Sequence, residues 1–541
     1  MTMQPNKNNG HGGPPMSFSM PMMNDFVPHF LRPWIYLIIA CCFQISSARY
    51  LGPLNEIIGA DSLMREDVMM CMYCNLAGMA VWFPMLFRMK FRFTNKTLLC
   101  ASSVVVIITN ILTGYVTFLP LLWFICFVEG IAKIQGTFEC MSNIQLWMTP
   151  KRDMTIFFPL LHIVILSGMN WQDMISSYWG YLGDWRLMHY LIIGVHCLVL
   201  LFLTTCTHHF RFMKLPLYGI DWTSMLLWSA LLMQCAYVFD YGEWYSWFDS
   251  NVVWTLVGCI LITFSLILWR MGTIRHPYIS PKVFTSFRYV KHILALIVLV
   301  EAILGTEYVL EELFLEEGLH YSTMNNAWLC LPVWIGNICG CIFSLVWLQK
   351  VLRFSYIRLG IIGTAFMGAY IIYMYLFVSP DLSREMLWLP LFCRGFAYTT
   401  LSIMFFASLH DLMDFNHFFQ GLSVFNMLHM VIGGCLGCAI YSKALNYYIV
   451  EGMARYGTRL TLPGISRMAD LFSGGLQGNF MSGFMQQISL YAIKNIYGWV
   501  CFVCLALLLG FLMFDSPIRR GRSYMIPWRV VGIRLKRYLN L

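Results

Sequence analysis

Residues 251–271 read NVVWTLVGCILITFSLILWRM. No Asp, Glu, Lys or Arg precedes Arg270 in that run. Its length matches the ~20 residues that an α-helix needs to cross the hydrocarbon core of a bilayer. A helix of this kind has no polar face to offer water. In lipid its backbone satisfies its own hydrogen bonds and its side chains match the solvent. The stretch therefore predicts a membrane span.

Moving the same window outward in both directions finds about fourteen such segments. They lie near 32–49, 68–89, 97–116, 119–142, 155–177, 186–206, 221–240, 251–271, 290–313, 325–349, 356–378, 387–408, 423–445 and 494–515. Composition agrees. Hydrophobic residues make up 59% of the chain and charged residues 12%, against roughly 25% charged in soluble proteins. Mean hydropathy is +0.64. These values exclude a soluble fold. The 19 cysteines fall mostly inside apolar runs and read as small residues packing helices. Cys71-x-x-Cys74 has a metal-like spacing, but it sits in an apolar helix with no second pair nearby, so packing is the better reading. Residues 1–30 are polar, lack the apolar core of a signal peptide and read as a disordered tail.

The loops orient the spans. Lys and Arg collect on the cytoplasmic side of membrane proteins. Here they occur in alternate loops: Arg88, Lys90, Arg92 and Lys96; Lys151 and Arg152; Arg211 and Lys214; Arg270, Arg275, Lys282, Arg288 and Lys291; Lys350, Arg353 and Arg358. The tail from 516 is basic as well. The intervening loops are acidic or neutral, for example Asp240 to Asp249 and Glu311 to Glu317. An even number of spans with both termini cytoplasmic explains the alternation. One outer loop, 446–493, is far longer than the others and contains amphipathic stretches such as Met468 to Phe472. Loops of this length are often functional.

Several short motifs resemble the fourteen-span drug:proton antiporter branch of the major facilitator superfamily. Asp240-x-Gly242-x4-Trp247-Phe248-x-Ser250 is similar to its signature between spans seven and eight. Arg275-x-Pro277-x-Ile279-x3-Val283-Phe284 is similar to the segment that follows. Trp185-Arg186, Arg394-Gly395 and the glycines Gly433, Gly434 and Gly437 resemble further family features. The chain departs from the pattern at Gln44, where an Asp is usual in the first span, at Arg49, at Arg88, and at Cys126, where the fourth span usually carries an Arg. The family's Gly-Pro motif in the fifth span is here Leu166-Ser-Gly-Met-Asn-Trp-Gln-Asp173.

The resemblance implies an all-α polytopic membrane protein of the major-facilitator fold, with two six-helix bundles plus two inserted helices. The expected division is 1–30 as a cytoplasmic tail, 31–206 and 286–515 as the two bundles, 207–285 as the inserted pair and 516–541 as a basic tail. It implies proton-coupled efflux of drugs or other small amphipathic compounds, in a bacterial inner membrane, with the substrate, protons and the lipid bilayer as partners. A periplasmic adaptor docking on 446–493 is a further expectation. An exporter or importer of one metabolite, such as a siderophore or organic anion, is the alternative within transport. A non-transporting receptor or scaffold on the same fold is the alternative outside it.

Ionisable groups inside spans are costly unless paired, wetted or neutralised, so those few residues are the candidate site. Glu129, Lys133 and Glu139 form one polar stripe on the fourth span, where Glu129 and Lys133 are spaced to pair. Asp173 lies beside Asn170, Trp171 and Gln172 in the fifth. Glu301 sits deep in the ninth with no local cation, and Glu307 is shallower. Arg394 in the twelfth is the deepest cation and suits an acid partner or an anionic substrate. The proton-coupling candidates are thus Glu301, Glu129, Glu139 and Asp173. Lys133, Arg394, Glu307, Gln44 and Trp171 are the cavity candidates. A carboxylate paired with Arg394 or Lys133 from another helix is the competing reading of Glu301. Phosphate-loop, zinc and serine-nucleophile motifs are missing from the sequence. No cofactor, metal, enzymatic activity or nucleic acid is expected; His410-x3-Asp414 is the single pattern that suggests acid–base chemistry.

Overall fold

The computed structural model describes residues 23–46, 51–149, 154–209, 217, 219–285, 289–349, 356–457 and 476–515. Arg49, Lys151, Arg152, Arg211, Lys214, Arg288, Lys350, Arg353 and the tail from 516 lie outside these residues. Fourteen apolar helices follow one another: α1 (Arg32–Ile45), α2 (Arg65–Arg92), α3 (Asn95–Thr113), α4 (Leu119–Met148), α5 (Met154–Leu182), α6 (Leu187–Cys206), α7 (Trp222–Tyr241), α8 (Asn251–Thr273), α9 (Val290–Gly318), α10 (Thr323–Leu348), α11 (Tyr356–Phe377), α12 (Trp388–Leu412), α13 (His417–Tyr456) and α14 (Leu476–Asp515). Among the described residues thirteen are long and apolar enough to cross a bilayer; α1 has 14 described residues. Among the described residues the only β pairing is an isolated bridge between Met23 and Thr207.

Local chemistry starts several helices where the chain requires it. Thr94 accepts from the Thr97 N–H at the start of α3, and Ser250 from the Val252 N–H at the start of α8. Asp221 accepts from the Ser224 N–H at the start of α7 and is also bonded by Arg270 at 2.6 Å, which ties the two inserted helices together. Each cap satisfies an N–H that the first turn leaves open.

The packing repeats. In the first half α4 packs on α1, α2 and α3, α1 packs on α5, and α3 on α6. In the second half α12 packs on α9, α10 and α11, α9 on α13, and α11 on α14. The halves meet along α5–α10 and α2–α13. Helix α7 lies against α2 and α13, while α8 packs chiefly on α7. The apolar window of α8 is 17% buried by protein and that of α12 is 83% buried, so lipid must solvate the first and protein the second. Glycines set the central crossings. A Cβ on Gly130 of α4 would stand 2.0 Å from the Asn75 carbonyl oxygen of α2. One on Gly336 of α10 would stand 2.3 Å from the Phe392 oxygen of α12. Only a residue without a side chain allows such approach.

The structure corrects three sequence expectations. Glu311 to Glu317 is not an outer loop: α9 runs on to Gly318 through two π-helical turns, Glu307–Glu311 and Phe314–Gly318. Most of 446–493 is helical, because α13 and α14 continue past the expected spans as an antiparallel pair. Glu451 and Arg455 pair at 2.9 Å one turn apart, and Arg455 also donates to the Tyr491 hydroxyl at 3.0 Å. Residues 458–475, including Met468 to Phe472, lie outside the described residues. Finally, part of the N-terminal tail is ordered. The Asn24 N–H donates to the Cys206 carbonyl at 2.9 Å, and Arg32 Nε donates to the Val27 carbonyl at 3.1 Å.

Candidate functional site

A cavity of about 550 Å³ lies between the halves, walled by α1, α2, α4, α5, α9, α10, α12 and α13. One end holds Asp173, Glu301, Glu307 and Arg394. From there the cavity runs toward the side of the basic loops, past Phe87, Phe138, Phe158 and Phe419 to Lys90 and Gln145. At the opposite end the halves are latched together. Arg65 of α2 pairs with Glu312 of α9 and donates to the Tyr308 carbonyl. Asn55 donates to Glu316 at 2.5 Å, and the Thr323 hydroxyl donates to Glu56. These contacts bridge the halves at that end, while the cavity extends toward the basic loops.

Arg394 is not free. Its Nη1 lies 2.7 Å from Glu311 Oε2 and its Nη2 lies 3.1 Å from Glu307 Oε1. Glu307 and Glu311 are one turn apart on α9 and grip the guanidinium from one side. Tyr370 donates to the same Glu311 oxygen at 2.9 Å. The expectation that Arg394 offers a charge to an anion meets a guanidinium already held by two carboxylates. Glu311 was missed because its run of acids reads as a loop.

Glu301 has neither Arg394 nor Lys133 as its partner. His429 of α13 brings Nδ1 to 2.8 Å from Glu301 Oε1, at angles short of a hydrogen bond. Gly433 makes the approach possible, since a Cβ there would stand 2.5 Å from the Glu301 Cβ. His429 lies in a π-helical segment, Met427–Gly433. An ionisable residue inside an apolar span was the signal that could have found it.

Asp173 faces the cavity and has no ion pair within 4.0 Å among the described residues. Gln44 also lines it, donating to the Thr137 hydroxyl at 2.8 Å while its Oε1 is buried without a partner. The stripe on α4 faces elsewhere. Glu129 is fully buried within the first half, accepting from Ser46 at 2.7 Å and Asn110 at 2.9 Å. No ion pair joins it to Lys133, because the sheltered pocket of α1 and α3 supplies neutral donors closer by. Lys133 is buried between the fields of Glu129 and Asp173. Glu139 accepts from Asn95 at 2.6 Å and lies 3.6 Å from Lys90. Trp171 is edge-on to Trp334 at 5.5 Å, at the α5–α10 seam rather than in the cavity wall. His410 lies 3.3 Å from Asp411, not from Asp414, which instead precedes the next helix.

The Arg394 wall joins a polar surface that also went unread in the sequence. Thr399 donates to Asn337 Oδ1 at 2.9 Å, and Asn337 and Tyr398 both line the cavity.

No family model matches the chain, and no curated protein matches it in sequence. Solved structures do match its fold. A mutant form of the nucleoside transporter NupG superposes with a TM-score of 0.53 and 14% identity, over 90% of this chain and 99% of that one. The human organic anion transporter MFSD10 (TETRAN) superposes with a TM-score of 0.51 and 9% identity, over 89% and 100%. With the repeated packing and the inserted pair, the likeness closes the case for the architecture: the chain is an all-helical, multi-pass membrane protein of the major facilitator fold.

Proposed function

We propose that this chain is a secondary transporter that moves a small amphipathic cation through the central cavity by alternating access, coupled to protons at Glu301 and His429. The observation that carries the reading is the charge balance of the cavity. Asp173, Glu301 and Glu307 line it and Glu311 stands behind; Arg394 is shared by two of the four, and Lys133 lies in the field of Asp173 from outside the cavity wall. A buried excess of carboxylates attracts a cation or binds a proton. The aromatic stretch below offers an apolar bed to the rest of such a solute. The cavity extends toward the basic-loop side, which suits loading from the cytoplasm and export. An organic anion is the weaker reading, because it would have to displace a carboxylate from Arg394.

Glu301 and His429 supply a place for one proton. Protonation cancels the Glu301 charge or converts His429 to an imidazolium beside it. A ligand that favours one state and a proton that favours the other compete through a shared equilibrium. The test is purified protein in proteoliposomes with a pH-sensitive dye, challenged with lipophilic cations, neutral compounds and organic anions. Cation-evoked proton movement that disappears in Glu301→Gln and His429→Gln supports the proposal. Anion transport indifferent to both substitutions overturns it, as does a protein that moves neither protons nor solute.

A further inference from the structure

The two inserted helices have no counterpart in either half, yet α7 touches both. At its outer end the Tyr241 hydroxyl donates to Asp67 of α2. Just beyond, Glu243 accepts from Asn446 of α13 at 2.7 Å and lies 3.9 Å from Lys443. Helix α7 therefore staples the outer ends of the two halves, next to the Arg65–Glu312 latch.

Asp240 sits in this staple. Its Oδ2 is buried and has no hydrogen-bond partner. The charged groups facing it all come from α2: Glu66, Arg65 and Asp67. The other titratable neighbours are Tyr73 and Cys74 of α2, Tyr241 on its own helix, and Cys435 and Cys438 of α13. None of these is a cation. Arg65 is the one positive charge among them, and it is committed to Glu312 across the seam. Asp240 thus has two carboxylates and one guanidinium near it, and that guanidinium donates to Glu312 and the Tyr308 carbonyl. Asp240 therefore offers a carboxylate oxygen with no hydrogen-bond donor, beside Glu66 and Asp67, where a proton can be held.

We propose that Asp240 is a proton-binding site outside the central cavity, and that its protonation sets the strength of the Arg65–Glu312 latch. The inference rests on the alternating-access reading above. With Asp240 protonated, Arg65 is held by Glu312 and the Tyr308 carbonyl, and the outer side stays shut. When the proton leaves, the O–H bond breaks, the electron pair stays on the carboxylate, and outer water takes the proton. The Asp240 carboxylate then competes for Arg65. Arg65 sits on α2, against which α7 packs, whereas Glu312 belongs to the other half. Opening separates Arg65 from Glu312 and leaves ionised Asp240 as its partner. The closed state therefore binds the proton more tightly, and rising pH favours opening. One proton changes the open-to-closed ratio by at most about tenfold per pH unit.

Hydrogen–deuterium exchange on the full chain in lipid nanodiscs tests this, following peptides over 54–61 and 312–323 at two pH values after correction for intrinsic exchange. In the wild-type protein protection should fall as pH rises. Asp240→Asn should stay protected at both pH values, Asp240→Glu should restore the response, and Glu312→Gln should be exposed at both. A wild-type pH response in Asp240→Asn, with Glu312→Gln exposed, sinks the inference and leaves the transport reading intact. Continued protection in Glu312→Gln removes the latch itself, and the inference falls with it.

Discussion

Arg394 and its two carboxylates allow a prediction whose size follows from exposure. The Arg394 side chain is 7% exposed, that of Glu311 10%, and that of Glu307 41%. Removing one member of a buried ion pair typically costs about 3–5 kcal/mol, because the survivor stays buried and unpaired. An exposed pair contributes about 0–1 kcal/mol. Arg394→Met strands Glu311 and should fall in the upper class. Glu311→Gln should cost less than that, because a neutral amide still bonds Tyr370 and Arg394 keeps Glu307. Glu307→Gln should sit in the lower class, since water already reaches it. The double variant Arg394→Met/Glu311→Gln should be more stable than Arg394→Met alone, because it no longer buries an unpaired charge. Thermal unfolding in detergent, followed by loss of the monodisperse peak in size-exclusion chromatography, ranks the four. A double variant no better than Arg394→Met, or a Glu307→Gln as damaging as Arg394→Met, would refute the assignment of the buried bond to Glu311.

Other perturbations probe the helix crossings and the inserted pair. Gly130→Ala and Gly336→Ala each push a methyl group into a backbone carbonyl that cannot rotate away, and should cost about 1–3 kcal/mol. Gly194→Ala on α6, where a Cβ meets nothing within 4 Å, should leave the same unfolding midpoint unchanged; equal losses at all three sites would contradict the close crossings. At Asp221, just outside α7, burial pushes the carboxyl pKa up, but bonds from Ser224 and Arg270 outweigh it and hold it below the usual range. A depressed folded-state pKa contributes stability that is complete above the unfolded value of about 3.9 and is lost as pH falls through the folded one. The stability difference between wild type and Asp221→Asn should therefore shrink as pH is lowered below about 4, and a difference that grows on acidification would exclude the Asp221–Arg270 tie.

Much of this protein was legible before any coordinates. Runs of about 20 apolar residues dictate helices because lipid offers no partner to an open backbone. Glu301, Glu307, Asp173 and Arg394 could be named because a charge in such a run must have a reason to be there. Sequence spacing even places Glu129 and Lys133 on one helix face. It does not say what that face meets. The rotation of α4 is set by Gly130 seated on the Asn75 carbonyl, and that contact turns Glu129 toward Ser46 and Asn110 instead of the cavity. The π turns in α9 and α13 each add a residue to a turn, shifting the following side chains around the axis by roughly 100°. No 3.6-residue period anticipates that shift. Glu311 reaches Arg394 across 83 positions of sequence, and His429 reaches Glu301 from another helix. The sequence by itself determined that the chain is built from apolar helices suited to a membrane and which buried charges need partners. Only the tertiary structure decided who those partners are, because pairing depends on helix rotation and approach, which close packing sets between segments far apart in the chain.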